Sequence, residues 1–344
     1  MNTVTGMDYR SMTRPELEVA LADLGQPRYR AGQLFAWLQK GATSFDEMTN
    51  LPAALRATLA EKGYLANAAV EGRFVSRIDG TVKYLFRLND GNLIEGVLMS
   101  YHHGYSLCVS TQVGCRMGCS FCASTVDGLT RSLTASEILA QIMTASRTEG
   151  VRVSHIVLMG MGEPFDNYDN VVRFLELVGA PEGLNIGARH ISLSTCGRVD
   201  GIRRFLELGS QVTLSISLHA PNDEIRSRLM PINKKYGVDE LLDACRDYIA
   251  ATGRRISFEY AMIRGVNDTD ACAEELAARL KGMLCHVNLI PANEIRENDY
   301  RRSDAARLKQ FQTLLEKRGL TVTVRRTLGA DVSASCGQLR QHHQ

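Results

Sequence analysis

The 344-residue chain lacks a long apolar run. Its longest apolar runs, such as residues 156–161 and 212–218, have the length of a strand and fall far short of the roughly 20 residues that cross a bilayer. The first twenty residues also lack the basic start and the continuous apolar stretch of a secretory signal. We therefore expect a cytoplasmic protein without a membrane span, whose thiols stay reduced.

The sequence also lacks a strong charge of either sign. A formal net charge of +2 is too small to indicate nucleic-acid binding by itself, and it does not exclude it. Folding could gather the basic doublets into a phosphate-binding face, although a solvated surface of mixed charge explains them as well. The doublets are Arg203-Arg204, Lys234-Lys235, Arg254-Arg255, Arg301-Arg302 and Arg325-Arg326.

The sequence also lacks the cysteine pattern of a disulfide framework, because its nine cysteines are odd in number and unevenly spaced. Four of them crowd into residues 108–122 and the other five scatter. Cys245, Cys272 and Cys285 lie in apolar stretches, which favours small buried hydrophobic side chains. Cys196 follows a predicted strand, and its role stays open.

The crowded cysteines include a C-x3-C-x2-C loop formed by Cys115, Cys119 and Cys122. Such a loop can bind zinc or an iron-sulfur cluster. Structural zinc sites generally take four protein ligands, commonly from two C-x2-C pairs, and the sequence contains no second pair. A [4Fe-4S] cluster held by three cysteines leaves one iron open to a substrate. The spacing therefore favours one [4Fe-4S] cluster per chain.

Hydrophobic periodicity divides the chain into four predicted regions. They are a helical module over residues 1–68, an antiparallel strand extension that forms a small sheet over 69–105, a strand-helix alternation over 106–329 and a tail over 330–344. The alternation begins with a strand over residues 106–112, and its helices are predicted to begin near Thr134, Asn167, Val199, Val238, Asp270 and Ser303. Alternating strands and helices indicate a parallel sheet. We therefore predict an α/β fold, a partial, open (β/α)6 barrel whose site lies at the carboxyl edge of the strands.

The run Met159-Gly160-Met161-Gly162-Glu163-Pro164 follows one of the predicted barrel strands. Glycines at a strand end let a ligand approach the backbone, and Glu163 could accept hydrogen bonds from an ammonium group. Alone, the run is typical of an ordinary strand-to-helix turn. One strand-helix unit after the cysteine loop, it resembles the motif with which radical S-adenosylmethionine (SAM) enzymes bind the methionyl amine.

Five segments in order resemble the RlmN/Cfr family of radical RNA adenine methyltransferases, and the resemblance covers essentially the whole chain. The segments are Cys108-Val109-Ser110-Thr111-Gln112-Val113-Gly114-Cys115, the Gly160–Pro164 run, Ser194-Thr195-Cys196-Gly197, Ser217-Leu218-His219-Ala220-Pro221-Asn222 and Ser335-Cys336-Gly337-Gln338-Leu339.

The resemblance implies a set of SAM contacts and one proton acceptor. Without it, Ser194 and Ser217 are ordinary strand-end residues and His219 is a core or helix-capping residue. The implied proton acceptor is Glu95, for which an exposed strand glutamate is the alternative. The implied SAM contacts are Gly162, Glu163, Ser194, Ser217, Leu218, His219 and Asn293.

The resemblance also implies a reaction with two thiols. Adenine carbon-2 is electron-poor, so simple displacement of the SAM methyl group is closed. One SAM first methylates Cys336, and a second is split to a 5′-deoxyadenosyl radical that takes hydrogen from the S-methyl group. The resulting carbon radical adds to the adenine. Cys108 then resolves the adduct as a disulfide, and Cys108 or Glu95 aids proton removal.

The expected substrates are 23S rRNA, at the peptidyl-transferase centre, and tRNA, at the adenosine 3′ of the anticodon. We expect methylation at carbon-2, a flavodoxin or ferredoxin as electron donor, and a monomer. RNA contacts are expected at Arg28 and Arg30 of the helical module. Two alternatives stay open: methylation of the same rRNA adenine at carbon-8, which confers antibiotic resistance, and a non-catalytic metal-binding module associated with RNA.

Overall fold

The computed structural model describes residues 6–293, 295 and 298–340. Helices and strands alternate along most of this length. The helices are α1 (Arg14–Ala22), α2 (Tyr29–Gln39), α3 (Ala53–Lys62), α4 (Ala135–Glu149), α5 (Tyr168–Val178), α6 (Val199–Glu207), α7 (Asp223–Leu229), α8 (Val238–Thr252), α9 (Asp270–Leu280) and α10 (Ala305–Lys317). The strands are β1 (Met7–Asp8), β2 (Gly63–Tyr64), β3 (Ala68–Val75), β4 (Val82–Leu88), β5 (Leu93–Tyr101), β6 (Gly104–Cys108), β7 (Gln112–Gly114), β8 (Leu129–Ser132), β9 (Val153–Leu158), β10 (Ile191–Thr195), β11 (Thr213–Ser217), β12 (Ile256–Met262), β13 (Cys285–Pro291) and β14 (Val322–Val324).

The central feature is a ten-stranded sheet in the order β14-β13-β12-β11-β10-β9-β6-β5-β4-β3. The strands from β6 to β14 in this sheet run parallel, and β3, β4 and β5 run antiparallel. β14 and β3 are the two edges, and among the described strands no ladder joins them. The predicted open, partial barrel is therefore confirmed.

Local sequence explains where the helices begin and end. Thr134 caps α4 by accepting from the backbone of Glu137, whose side chain accepts from the Thr134 backbone in return. The helix ends at Gly150 in a left-handed conformation, with φ of 65°. Thr13 and Glu16 form the same capping box at α1. These pairs satisfy backbone donors that no helical carbonyl can reach.

The core lies between the sheet and its helices. Most of the β-branched and aliphatic strand residues are buried. Fully buried examples are Leu193 on β10, Ile216 on β11 and Val287 on β13. Burial on both faces is typical of parallel strands covered by helices. The carboxyl ends of β9, β10, β11 and β13 consequently meet at one edge, where the candidate site lies.

Three details differ from the sequence expectations. The antiparallel strands do not form a separate sheet, because β5 pairs with β6 from Val97 opposite Cys108 and continues the parallel sheet. The strand expected over residues 106–112 ends at Cys108, since the Ser110 backbone bonds the side chain of Gln141 instead. Helix α7 was not expected, because its seven residues are too few for a periodic pattern. The four regional boundaries stay predictions.

No helix within the described ranges is long and apolar enough to cross a membrane.

Candidate active site

An open cavity with about 1060 Å³ of empty space lies at the carboxyl edge of the parallel strands. Cysteine thiols line one side of it and polar strand-end residues line the other. The expected site residues on its wall are Cys115, Cys119, Cys122, Gly162, Glu163, Ser194, Ser217, His219, Asn293 and Cys336. One cavity therefore brings together most of the residues that the sequence singled out.

The three loop cysteines lie between β7 and β8, two strands that pair only with each other. The Cys115 amide donates to the carbonyl of Gly128 at 2.9 Å, and Gly118 provides a turn with φ of +69°. Burial, together with the nearby sulfur of Cys122, raises the pKa of Cys115 to about 12. Thiolates gathered in such a place need positive charge beside them, which iron supplies.

The geometry also bears on the choice between zinc and a cluster. In the described part of the chain, no three His, Cys, Asp or Glu side chains converge closely enough to share one metal ion. Cys115, Cys119 and Cys122 all line the cavity, and a cluster held by three thiolates would keep one iron for a ligand there. The residues present therefore fit a [4Fe-4S] cluster.

Gly160 and Gly162 let the end of β9 approach the stem of the cysteine loop. A Cβ atom on Gly160 would lie 2.6 Å from the carbonyl oxygen of Val109. A Cβ on Gly162 would lie 2.6 Å from the Cβ of Gln112, and the φ of Gly162 is +102°. Close backbone approach thus explains both glycines without a ligand, and it fixes the loop stem beside Glu163.

Glu163 is buried at the cavity wall. One carboxylate oxygen accepts from the Phe165 amide at 3.0 Å and the other from the Cys196 amide at 2.7 Å. Burial raises the pKa of Glu163 above its ordinary value, and these two hydrogen bonds work against that rise. The Thr195 side chain also hydrogen-bonds this carboxylate. A carboxylate offers about four lone-pair sites, so it retains capacity for a ligand ammonium group.

His219 is a neutral donor at this cavity. Its Nδ1 accepts from the Ala261 amide at 2.9 Å, which leaves the proton on Nε2. Burial first, and then the charge of Arg226, lower its pKa to about 3. Its ring meets Phe121 of the cysteine loop edge-on, with centroids 4.8 Å apart, and its φ is +57°.

The remaining expected SAM contacts separate into two groups. The hydroxyls of Ser194 and Ser217 lie 3.5 Å apart on the cavity wall, and Asn293 lies on the wall as well. The Leu218 side chain is buried in the hydrophobic core. Its backbone amide donates to the carbonyl of Glu259 at 3.1 Å. Its side chain is not among the described lining residues.

A second cavity adjoins the first. Cys108 lies on its wall, and Met159, Asn293, Arg325 and Cys336 line both cavities. Cys336 is exposed, whereas Cys108 is buried. Burial, and then the neighbouring Cys336 sulfur, raise the pKa of Cys108 to about 12. The two thiols outside the cysteine loop therefore share a cavity, and Cys336 stands where that cavity meets the first.

Two family models match the chain: the Radical SAM superfamily over residues 109–276, and the ribosomal RNA large subunit methyltransferase N-terminal domain over residues 7–65. A "Probable dual-specificity RNA methyltransferase RlmN" of Alkaliphilus oremlandii is 54% identical, over 98% of this chain and 98% of its own length. The chain belongs to the RlmN family.

Other relatives agree. The protein of the same description from Clostridium novyi is 51% identical, over 97% of each chain. The crystal structure of a radical SAM methyltransferase from Sphaerobacter thermophilus matches with a TM-score of 0.94 and 48% identity, over 98% of this chain and 100% of that one. Membership of the RlmN family makes the chain a radical SAM methyltransferase, so a non-catalytic module is excluded. The family implies a [4Fe-4S] cluster and SAM.

In this RlmN family member, Glu95 lies two residues before Val97, which pairs with Cys108 across β5 and β6. It is buried on β5, so an exposed strand glutamate is the wrong interpretation. Lys83 Nζ lies 3.1 Å from one carboxylate oxygen, and the Arg340 amide donates to the other at 3.0 Å. Among the described lining residues of the two cavities, Glu95 does not occur. Its role as a proton acceptor stays a prediction.

Sequence reasoning missed two arginines. Arg226 is fully buried and donates to the carbonyls of Cys196 at 2.7 Å and Leu218 at 3.1 Å, tying the ends of β10 and β11 together. Arg325 lies on the wall shared by the cavities. Its position directly after the last strand was the available signal, but the Arg325-Arg326 doublet suggested a surface phosphate contact instead.

Proposed function

We propose that this RlmN family member methylates carbon-2 of adenine in 23S rRNA and tRNA, with Cys336 as methyl carrier and Cys108 as resolving thiol. The observation that carries the proposal is the position of Cys336, on the wall between the cavity of the three loop cysteines and the cavity of Cys108. The description of the relatives as dual-specificity RNA methyltransferases supports RNA as the substrate class.

Cys115, Cys119 and Cys122 would hold the cluster at the wall of the cavity. When bound and reduced, it supplies the electron that splits SAM into methionine and a 5′-deoxyadenosyl radical. Glu163, whose oxygens already orient toward backbone amides, accepts from the methionyl ammonium group. The Nε2 proton of His219 is available to a SAM oxygen or ring nitrogen, because Nδ1 is occupied.

Two thiols solve the problem of an electron-poor acceptor carbon. Cys336 takes the methyl group from one SAM and presents it at the wall between the cavities. After hydrogen abstraction, the carbon radical adds to adenine carbon-2. Loss of the carbon-2 proton to Cys108 or Glu95, and of one electron to a one-electron acceptor such as the oxidised cluster would be, then leaves a closed-shell adduct that links Cys336 to the RNA. Cys108, buried in the second cavity, attacks the Cys336 sulfur and releases the product. In our proposal Cys108 or Glu95 accepts the proton that leaves the base, and Glu95 is ion-paired with Lys83.

The adenine must be unstacked for its carbon-2 edge to reach Cys336, so single-stranded or locally unfolded RNA is the expected target. The helical module supplies phosphate contacts. Arg28 is 85% exposed although it pairs with Glu18 at 2.6 Å, and Arg30 bonds the carbonyl of Asn50 at 2.9 Å. We assign the electron to a flavodoxin or ferredoxin, and we expect a monomer.

The decisive experiment traps the covalent intermediate. Cys108→Ala should accumulate protein joined to RNA through Cys336, because the adduct forms and cannot be resolved. Cys285→Ala, which removes a buried thiol far along the sheet, is the matched control and should turn over without a trapped adduct. Denaturing gel electrophoresis followed by mass spectrometry of the cross-linked peptide reads the result. Normal turnover by Cys108→Ala would overturn its role.

The position of the methyl group needs a separate measurement. Mass spectrometry of nucleosides from RNA treated with the enzyme, SAM and a reductant should give 2-methyladenosine from both rRNA and tRNA. A methyl group at carbon-8 would contradict the proposed specificity while leaving the two-thiol chemistry intact.

A further inference from the structure

Arg325 is the one charged side chain that contacts the proposed methyl carrier among the described contacts of Cys336. Its Nη1 lies 3.2 Å from Cys336 Sγ, and its Nη2 lies 3.3 Å from the sulfur of Met159. The backbone amide of Arg325 donates to the Leu289 carbonyl at 2.8 Å, which extends the β13–β14 pairing by one bond. The guanidinium is therefore aimed at the shared wall by the sheet itself.

The surroundings keep this guanidinium charged. Its side chain is 29% exposed, and a carboxylate oxygen of Glu259 lies 3.8 Å from Nη1. That same oxygen accepts from Asn288 at 2.7 Å, so Glu259 is engaged elsewhere and neutralises Arg325 only in part. The Cys336 sulfur is the largest cause that raises the pKa of Arg325 above its ordinary value. Arg325 also lowers the pKa of Cys108, against the larger effect of burial.

We infer that Arg325 is the counter-ion of the catalytic thiols: it donates to the Cys336 sulfur and stabilises negative charge on that sulfur as it attacks, and it faces the cavity in which Cys108 attacks in turn. This inference rests on the proposed function, since it assigns Arg325 a part in both thiol steps. It also explains why a cation lines the cavity that holds two thiols, one exposed and one buried.

In the first step, the Cys336 thiolate attacks the methyl carbon of the SAM sulfonium. An S–CH3 bond forms as the methyl–sulfonium bond breaks, and SAM leaves as S-adenosylhomocysteine. The negative charge on Cys336 disappears, so its sulfur becomes a weak, neutral acceptor and Arg325 loses its anionic partner. The guanidinium is then free to stabilise a second thiolate.

In the resolving step, the Cys108 thiolate attacks the Cys336 sulfur. An S–S bond forms as the bond between that sulfur and the adenine-linked carbon breaks. The electron pair goes to the carbon, which takes a proton and becomes the methyl group. Cys336 sulfur is oxidised and the carbon is reduced, so the electrons balance. Arg325 contacts the Cys336 sulfur and lines the cavity that Cys108 also lines.

The test measures thiol reactivity without SAM. Iodoacetamide reacts with thiolates, and Cys336 is the exposed cysteine among the described residues. At pH 7, Arg325→Met should slow alkylation of Cys336 by about tenfold or more, because a charge-assisted hydrogen bond of about 1.5–3 kcal/mol is lost. Arg325→Lys keeps the charge and should recover most of the rate. Arg152→Met, an exposed arginine at the opposite edge of the sheet, should react as wild type does.

A second readout follows a single methyl transfer from deuterated SAM to Cys336 in the cluster-loaded enzyme, by peptide mass spectrometry. Arg325→Met should slow this transfer by a similar factor, and circular dichroism checks that the variant is folded. Wild-type rates of alkylation in Arg325→Met would overturn the inference. Alkylation that slows as expected in a protein whose wild-type Cys336 never gains a methyl group would instead overturn the proposed function.

Discussion

The substitution Gly162→Ala tests whether close packing around Gly162 holds the candidate site in place. Gly162 has a φ of +102°, which side-chain-bearing residues rarely adopt, and a Cβ there would lie 2.6 Å from Gln112 Cβ and 2.8 Å from its amide nitrogen. The backbone strain costs roughly 1–3 kcal/mol and overpacking a similar amount, so Gly162→Ala should lose roughly 2–6 kcal/mol of unfolding free energy. The Gln112 side chain also holds the Glu163 amide at 2.9 Å, so Glu163 must shift as well.

Gly150→Ala is the matched control. Gly150 also has a positive φ, of +65°, but nothing lies within 4 Å of its added Cβ, so only the strain of about 1–2 kcal/mol remains. Urea unfolding compares the two variants, and iron and sulfide content per chain reports on the cysteine loop. Gly162→Ala should retain less iron than Gly150→Ala. Equal stability and equal iron content would refute the argument from close approach.

Three further predictions concern charge and hydrogen bonding. His219→Asn should flatten the pH dependence of the unfolding free energy. The fold lowers the pKa of His219 from 6.5 to about 3, so the unfolded chain binds a proton before the folded chain does as pH falls. Wild type therefore loses about 1.4 kcal/mol of unfolding free energy per pH unit as pH falls from 6.5 toward 3. A slope unchanged in urea unfolding at pH 6.5 and 5.5 would contradict this. The hydrogen bond from Arg198 lowers the pKa of Asp200 to about 2, so its stabilising contribution is present above pH 4 and is lost as pH falls toward 2. Because solvent screens the pair, that contribution is under about 1 kcal/mol. Asp200→Asn should therefore lower the unfolding free energy slightly at pH 7, and the difference from wild type should vanish as pH falls toward 2; an equal difference at both pH values would contradict this. Glu163→Gln places an amide NH2 against one of the two backbone donors, Phe165 or Cys196, and should cost about 1–3 kcal/mol of unfolding free energy. It should also weaken SAM binding at least tenfold in equilibrium dialysis; wild-type affinity would remove Glu163 from the SAM site.

Local signals in the sequence predicted much of the fold. Thr134 with Glu137 three residues later marks the start of α4, and Gly150 marks its end. The regular alternation of β-branched strands with such capped helices predicted the parallel sheet and its open form. Helix α7 was not predicted because it is short. The pairing of β5 with β6 was not predicted because pairing between strands depends on long-range contacts.

The sequence predicted those parts of the candidate site whose residues lie close together along the chain and form a motif. Cys115, Cys119 and Cys122 were predicted from their spacing, and Glu163 was predicted because the Gly160–Pro164 run follows the cysteine loop by one strand-helix unit. The part played by Arg325 was not predictable, because its contact with Cys336 depends on where the tail folds back against the end of β14. The burial of Glu95 beside Lys83 was not predictable either, because alternation along a strand does not say which face of the sheet is covered.

The central claim is that Cys336 carries the methyl group before adenine receives it. A single turnover with SAM bearing a fully deuterated methyl group tests it most directly, by mass spectrometry of the Cys336 peptide, the 5′-deoxyadenosine and the RNA. The account predicts label first on Cys336, then one deuterium in 5′-deoxyadenosine and two in the new adenine methyl group. Three deuterium atoms in that methyl group, with none passing through Cys336, would contradict it.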